Sequence, residues 1–288
     1  MNRISMKQLR YFKALAQHHH FGRAAEACSV SQPALSSQIS KLEEILGLQL
    51  VERGTRGTHL TSLGEAFATR VRDILRSVDE LSSFARSAQG PMTGELSIGA
   101  IPTVAPYILP QAIQNLQRHF PGLEIRPREA VTQKLVADLL DARLDAALMA
   151  LPMAESALSQ AHLFDEEFVL VRPFEDAEKP VPDARMLREM ELLLLEEGHC
   201  FRDQALSFCG SAPRYLMEGS SLSTLVQMVG AGIGVTLIPK MAVNLETRSA
   251  NVSVARLPPP RPTRSIGLVW RKTNPLSDQL EEIAGLLL

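Results

Sequence analysis

No run of about 18 apolar residues occurs in this chain, so no segment is long enough to cross a bilayer as a helix. The first residues, Met1 to Lys7, lack an apolar signal core, and nothing there directs export. Cysteine is scarce and odd in number, three in 288 residues, which excludes the disulfide framework of a secreted scaffold. A cytoplasmic setting is expected, where a disulfide is transient rather than structural. Net charge is small, −2, but unevenly placed. Residues 1–90 hold 12 Lys and Arg against 8 Asp and Glu, whereas the remainder holds 18 against 24. A mildly basic head on an acidic body permits a polyanionic partner at one end. The content is otherwise ordinary for a globular protein, 45% hydrophobic and 22% charged, with length for two or three domains.

The head reads as short helices and a turn. Met6, Leu9, Phe12, Leu15 and Ala16 recur at helical spacing up to the His18-His19-His20 run. Those histidines point in different directions, which reads as a solvent-facing helix end rather than a metal site. Phe21 to Ala27 predicts a second helix, with Cys28 as a small core residue. Ser31 is a good N-cap and Pro33 fits the first turn of a third helix. In it Leu35, Ile39, Leu42 and Leu46 form one buried stripe, ended by Gly47. Its other face carries Gln32, Pro33, Ser36, Ser37, Ser40 and Lys41, small and polar enough to approach base edges in a major groove. Leu50–Arg53 and Thr58–Thr61 then predict the two strands of a wing, with Arg53 and Arg56 in reach of phosphates.

The stretch FGRAAEACSVSQPALSSQISKLEEILGLQLVERGTRGTHLTSLGE resembles the winged helix-turn-helix signature of LysR-type transcriptional regulators. The resemblance implies double-stranded promoter DNA as partner. It places Gln32, Pro33, Ser36, Ser37 and Gln38 at bases, and Lys41, Arg53 and Arg56 on the backbone. Ser37 stands where many relatives carry Arg or Gly. The domain expectation is a winged helix-turn-helix over 1–61, a dimerisation helix over 62–89 and an effector domain over 94–288.

Ser62-Leu63-Gly64-Glu65 looks like a capping box opening a long helix. Phe67, Val71, Ile74, Val78, Leu81 and Ala85 alternate spacings of four and three, the seam of a helix pair. A homodimer through this segment is expected. Packing of the same stripe on its own effector domain is the alternative. Gln89 to Gly94 reads as a linker.

Beyond it, strands and helices alternate: Glu95–Ala100, a helix from about Pro106 to Phe120, Leu123–Arg128, a helix over Thr132–Leu140 and a strand over Asp145–Ala150. Phe168–Arg172, Leu192–Leu195, Gln204–Phe208, Ser221–Gly230, Val235–Ile238 and Ser265–Trp270 supply a second set. This alternation argues for an open α/β sheet. The body resembles the two-lobed type-2 periplasmic-binding-protein fold. By that resemblance the chain crosses to the second lobe near Phe164 and returns near Gly267, giving lobe I about 94–164 and 267–288 and lobe II about 165–266. Thr103, Thr132 and His199-Cys200 fall at strand-to-helix junctions, where ligands of such sheets sit. The sequence stops at Leu288 after a last expected helix (Leu276–Leu287), short of longer relatives, which bears on tetramer packing.

The segment LLLLEEGHCFRDQALSFC carries the chemistry. Cys200 stands beside His199, Arg202 and a helix start, where a thiolate is stabilised. Cys209 lies nine residues on. On one helix, at ~1.5 Å rise per residue, the two Cα atoms are roughly 13 Å apart, against a limit of about 7 Å for a disulfide. Any bond between them requires the segment to unravel. The same segment, with IGAIPTVAPYILP, REAVTQKL and RSIGLVWR, resembles OxyR-type hydrogen peroxide sensors. The resemblance implies Cys200 as the peroxide-reactive thiol and Cys209 as its resolving partner. Gly198, His199 and Arg202 are expected around the thiolate, Thr103 and Thr132 on the peroxide, and Asp203 anchoring Arg264. It further implies a homotetramer, work with RNA polymerase on antioxidant genes, and resetting by a glutaredoxin-type reductant. No cofactor or metal is implied. A LysR-type regulator gated by a small anionic metabolite is the main alternative. A thiol peroxidase is the enzymatic one, for which a winged head and a dimer helix have no use, so an enzyme is not expected.

Overall fold

The computed structural model describes residues 4–54, 57–87, 92–210 and 215–288, in two compact units, one ending at Ser83 and the next starting at Phe84. Arg56, Gln89, Gly90 and Pro91 lie outside the described residues, as do the side chains of Arg53 and Ala85.

The first unit opens with α1 (Met6–His18), α2 (Phe21–Ala27) and α3 (Gln32–Leu46). A reciprocal pair starts α1: the Gln8 amide donates to Ser5 Oγ at 3.2 Å, and the Ser5 amide to Gln8 Oε1 at 2.9 Å. The histidine run has more structure than a frayed end. His19 takes the left-handed conformation (φ 48°) that closes α1, and His20 Nδ1 caps α2 by accepting from the Gly22 and Arg23 amides. Ser31 precedes α3 but its hydroxyl makes no capping bond; Pro33 sits in the first turn as expected. Phe12, Leu15, Ala24, Leu35, Ile39 and Leu42 form the fully buried centre, and half-buried Cys28 packs against it.

The wing is the antiparallel pair β1 (Val51–Gly54) and β2 (Gly57–Leu60), in which Arg53 lies opposite Thr58. α4 (Ser62–Ser87) follows. Its cap is Thr61, one residue before the expected Ser62: Thr61 Oγ1 accepts from the Gly64 amide at 2.9 Å and donates to Gln49 O at 2.9 Å. A hydroxyl already fixed to the preceding loop serves better than a free one. The long stripe of α4 divides. Ala68, Val71 and Leu75 sink into the head's own core, with Phe67 edge-on to Phe12 at 5.3 Å. Ile74 and Leu81 stay 47% and 66% exposed, so only part of the expected seam remains for a partner.

The second unit is built on one mixed sheet. Its elements are β3 (Gly94–Ala100), α5 (Ala105–His119), β4 (Leu123–Glu129), α6 (Thr132–Leu140), β5 (Ala146–Leu151), β6 (Leu158–Pro173), α7 (Ala184–Glu189), β7 (Glu191–Leu195), α8 (Cys200–Cys209), β8 (Tyr215–Gly219), α9 (Leu222–Gly230), β9 (Val235–Pro239), α10 (Val243–Glu246), β10 (Val252–Arg256), β11 (Thr263–Arg271) and α11 (Ser277–Ala284). Strand order is β4-β3-β5-β11-β6-β9-β7-β8, with β10 also on β6. β3 pairs in parallel with β4 and β5, as helical crossovers require.

One long strand runs through both halves. β6 pairs with β11 from Leu158 to Glu167, then with β9 and β10 from Phe168 onward. The register slips between Ile266 and Gly267, opposite Phe164 and His162. Glycine is required there, because a Cβ on Gly267 would lie 2.4 Å from Ala161 O. On either side sits a separate core. One holds Leu96, Ile98, Leu148, Leu268 and Ile283; the other holds Phe168, Leu170, Leu193, Val226 and Leu237. α7, β8 and β10 have no counterpart in the sequence expectation, and Gln204–Phe208 proves to be the middle of α8.

Candidate functional site

β7 is a run of leucines buried on both faces, lying between β9 and β8 in the sheet. After Glu196 and Glu197, Gly198 turns the backbone at φ +97°, a conformation that favours glycine, and His199 becomes the N-cap of α8. Cys200 is therefore the first residue of the helix, where backbone amides lack partners within the helix. Gly210 closes α8 in the left-handed conformation (φ 76°).

A narrow crevice brings together Thr103, Thr132, His199, Cys200 and Phe201, roofed by Ile101, Pro102 and Val131. These residues come from the β3–α5 loop, the β4–α6 junction and the start of α8. Thr132 Oγ1 is buried and has no hydrogen-bond partner among the described residues. Thr103 Oγ1 accepts from Arg264 Nη1 at 2.7 Å, and Thr103 O accepts from Nη2 at 2.9 Å. With that acceptor role filled, the Thr103 hydroxyl proton is left for another acceptor.

Arg264, on β11, is the cation of the crevice. It is buried and lies over the ring of Phe201, the residue after Cys200, at 5.2 Å. Its anchor is Glu166, whose Oε2 accepts from Arg264 Nε at 2.9 Å; the expected anchor, Asp203, is exposed on α8 and carries no bond to Arg264. Arg202 also departs from expectation. It donates to Leu195 O at 3.0 Å and Glu218 Oε1 at 2.5 Å, which ties α8 to the end of β7 and to β8 instead of to the thiol. Position accounts for Arg202: two residues beyond Cys200 it stands about 200° round the helix, away from the crevice, while Asp203, three residues on, stays exposed to solvent.

Burial is the main influence on His199, pulling it below the usual imidazole value, opposed by the nearby Glu196 and Glu129. A neutral imidazole beside Cys200 offers a hydrogen bond rather than a charge. Burial pulls Arg264 below the ordinary guanidinium value, while Glu166 and then Cys200 act the other way. Cys209, at the far end of α8, is 3% exposed among Phe201 and Ala205. Burial raises its thiol above the ordinary value, only partly offset by Arg188. Cys200 packs against the core of the first lobe and Cys209 belongs to that of the second. Cys28, in the head, is likewise raised by burial.

Beside the crevice lies a cleft of about 360 Å³, lined among others by Thr103, Tyr107, Glu129, His199, Ser221 and Glu246. Across it Tyr107 on α5 donates to Glu246 Oε1 at 2.6 Å, and Ser223 donates to the other carboxylate oxygen. The phenol is pushed far up by burial and by that bond. Among the described residues, no Lys or Arg lines this cleft. The sequence expectation contains neither Glu166 nor the Tyr107–Glu246 pair. The alternation Glu166, Phe168, Leu170 points Glu166 to the same buried face as two core residues, a signal within the sequence.

On the head, Gln32, Pro33, Ser37 and Lys41 are exposed on α3, and Ser36 and Gln38 lie beside them. Among the described residues, no group of three or more His, Cys, Asp and Glu could hold a metal ion, and no helix is long and apolar enough to cross a membrane.

A winged helix-turn-helix and a two-lobed sensor sheet on one chain define a class. Residues 6–65 match the bacterial regulatory helix-turn-helix proteins of the lysR family, and residues 89–288 match the LysR substrate binding domain. The chain belongs to the LysR family, whose members regulate transcription and are not enzymes. Within that family it is OxyR-like. It is 44% identical over 291 residues to a probable hydrogen peroxide-inducible genes activator of Streptomyces viridosporus, covering 98% of this chain and 93% of that protein. A full-length cysteine-to-aspartate variant of OxyR from Pseudomonas aeruginosa superposes with a TM-score of 0.75 at 35% identity, covering 99% of this chain and 95% of that one. A hydrogen-peroxide-bound cysteine-to-serine mutant of Corynebacterium glutamicum OxyR does so with 0.67 at 35%, covering 99% and 92%.

Proposed function

We propose that this regulator senses hydrogen peroxide at Cys200 and reports it through a Cys200–Cys209 disulfide, controlling antioxidant genes from double-stranded promoter DNA. The observation that carries the reading is the crevice at the start of α8. It places a thiol beside two threonine hydroxyls: Thr132 Oγ1 lacks a partner among the described residues, and Thr103 Oγ1 ties in the buried cation Arg264. A buried hydroxyl without a partner is uncommon and costs about 1–3 kcal/mol, so a small hydrogen-bonding ligand beside it is favoured.

In the first step the Cys200 thiolate attacks one peroxide oxygen and the O–O bond breaks. The leaving oxygen departs as water after taking a proton, and Cys200 becomes a sulfenic acid. Arg264 stabilises the thiolate, and Thr103 and Thr132 orient the peroxide. Gly198 and His199 shape the turn, and His199 supplies a neutral hydrogen-bonding group. In the second step the Cys209 sulfur displaces the sulfenic hydroxyl, losing its proton, with release of a second water. Closing that bond breaks α8, since its ends stand roughly 13 Å apart. A dithiol reductant of the glutaredoxin class returns both thiols.

The readout runs through assembly and DNA. Gln32, Pro33, Ser36, Ser37 and Gln38 face bases, while Lys41, Arg53 and Arg56 hold phosphates. The exposed Ile74 and Leu81 of α4 support a homodimer, with a homotetramer as the family form acting with RNA polymerase. The metabolite-gated alternative is disfavoured: a cleft lined by Glu129 and Glu246 without Lys or Arg among the described residues repels an anion.

The test is a brief pulse of dilute peroxide on the reduced full chain, followed by free-thiol counting and peptide mapping. Loss of two thiols with a mapped Cys200–Cys209 link is expected, and Cys200→Ser should abolish the response yet bind DNA. Free sulfurs at both positions, or modification of Cys28 first, would reject the reading.

A further inference from the structure

We infer that Glu166 is the positioning residue of the peroxide site, acting on Cys200 only through Arg264. The inference rests on the function proposed above and adds to it a group on a different strand, at the point where β6 passes between lobes.

Glu166 is 6% exposed, and both of its oxygens are engaged. Oε2 lies 2.9 Å from both Arg264 Nε and Nη2, the two-pronged contact that fixes a guanidinium plane. Oε1 accepts from the Met241 amide at 2.9 Å, so the carboxylate is held by the second lobe's backbone. Arg264 in turn spends Nη1 and Nη2 on Thr103 of the first lobe. The guanidinium is thus clamped from both sides, over the ring of Phe201, the residue after Cys200. A long arginine side chain gives up rotamer freedom when fixed in this way. Neither Thr103 nor the ring supplies a countercharge. Among the described residues, the one carboxylate bonded to Arg264 is Glu166, so it both neutralises a buried cation and sets its direction.

Removing the carboxylate has two opposed effects. Lost neutralisation alone would strengthen the field of Arg264 at Cys200 and speed its reaction. Lost positioning would let the guanidinium swing and slow it. Glu166→Gln separates these, because an amide offers one acceptor oxygen for two donor partners, and the Met241 amide competes with Arg264 for it.

The experiment follows Cys200 in reduced full-length protein by two rates, peroxide oxidation and alkylation by iodoacetamide, each across pH. Wild type, E166Q, E166D, R264K and the two double variants are compared. Expected are an oxidation rate about tenfold lower in E166Q, as for loss of one oriented charged contact, and an alkylation midpoint moved to higher pH. E166D, which keeps the charge, should recover part of the rate. On the R264K background neither Glu166 substitution should change the rate by more than about twofold, the mark of action through one residue. An E166Q rate at or above wild type, or Glu166 effects that persist in full beside R264K, would overturn the inference. If E166Q gives no folded protein, the E166D and R264K cycle decides alone by the same criterion. A wild-type Cys200 that fails to react with peroxide sinks the parent reading instead, so the two failures are distinguishable.

Discussion

Helix α8 must open before its two cysteines can meet, so on the proposed mechanism helix stability controls the speed of signalling. Ser207 offers a clean lever. It lies on the exposed face of α8, between the two sulfurs, and its side chain lines neither the crevice nor the cleft. Alanine and glycine differ by about 1 kcal/mol in helix interiors, with serine between them. Ser207→Gly should therefore raise the open population of α8, and Ser207→Ala should lower it. At most about fivefold separates the two variants, since 1 kcal/mol corresponds to that factor at 25 °C. The gap to be closed is some 6 Å, from roughly 13 Å to about 7 Å between Cα atoms. A rapid peroxide pulse, with timed trapping of the sulfenic acid and mass analysis of the disulfide, resolves the two steps. Oxidation of Cys200 should proceed equally in both variants, while disulfide formation runs faster with glycine. Equal second-step rates would refute the idea that unwinding precedes the bond.

Two further outcomes follow from the site. Thr132→Val should slow Cys200 oxidation about tenfold, the worth of one hydrogen bond to the reacting oxygens. The same change should leave Tm unchanged or slightly raised, because a buried hydroxyl without a partner is replaced by a methyl of equal shape. His199 is depressed by burial, so the unfolded chain takes up its proton first as pH falls. Stability should then drop with falling pH from the ordinary imidazole range down through the lower native value. Denaturant melts of wild type against His199→Gln, across about pH 4.5 to 8.5, measure this (the pH range spans about two units either side of the free imidazole). A wild-type curve parallel to that of the variant would contradict the assignment.

Local patterns carry most of the fold into view. The stripe Leu35, Ile39 and Leu42 marks α3, and its ends are marked by Pro33 in the first turn and by Gly47. The leucines of β7 and the apolar run around Leu268 mark the central strands. β6 is legible only from Phe168, because its first half alternates exposed and half-buried residues and reads as loop. β10 and α7 are short and supply few core residues, so no periodicity rises above the background. In the site, the chain neighbours Gly198, His199 and Cys200 are visible, as are the junction residues Thr103 and Thr132. Partners are not. Glu166 meets Arg264 across 98 positions, and Tyr107 meets Glu246 across 139, separations at which only the folded sheet decides who is adjacent. Arg202 misleads for a related reason: nearness in sequence to a reactive sulfur does not bring a helix residue two positions on round to it in space.

The two ends of α8 are rooted in different hydrophobic interiors. Drawing the sulfurs together therefore has to evict at least one of them from its bed, and Phe201, wedged 4.6 Å from Phe168, travels with the first. If the oxidised form is the disulfide proposed above, it is accordingly a loaded one: it holds apolar surface out in water for as long as the covalent tether lasts. Once a reductant cuts that tether, desolvation alone pulls the helix shut again. Memory of the insult then survives only as long as the bond itself.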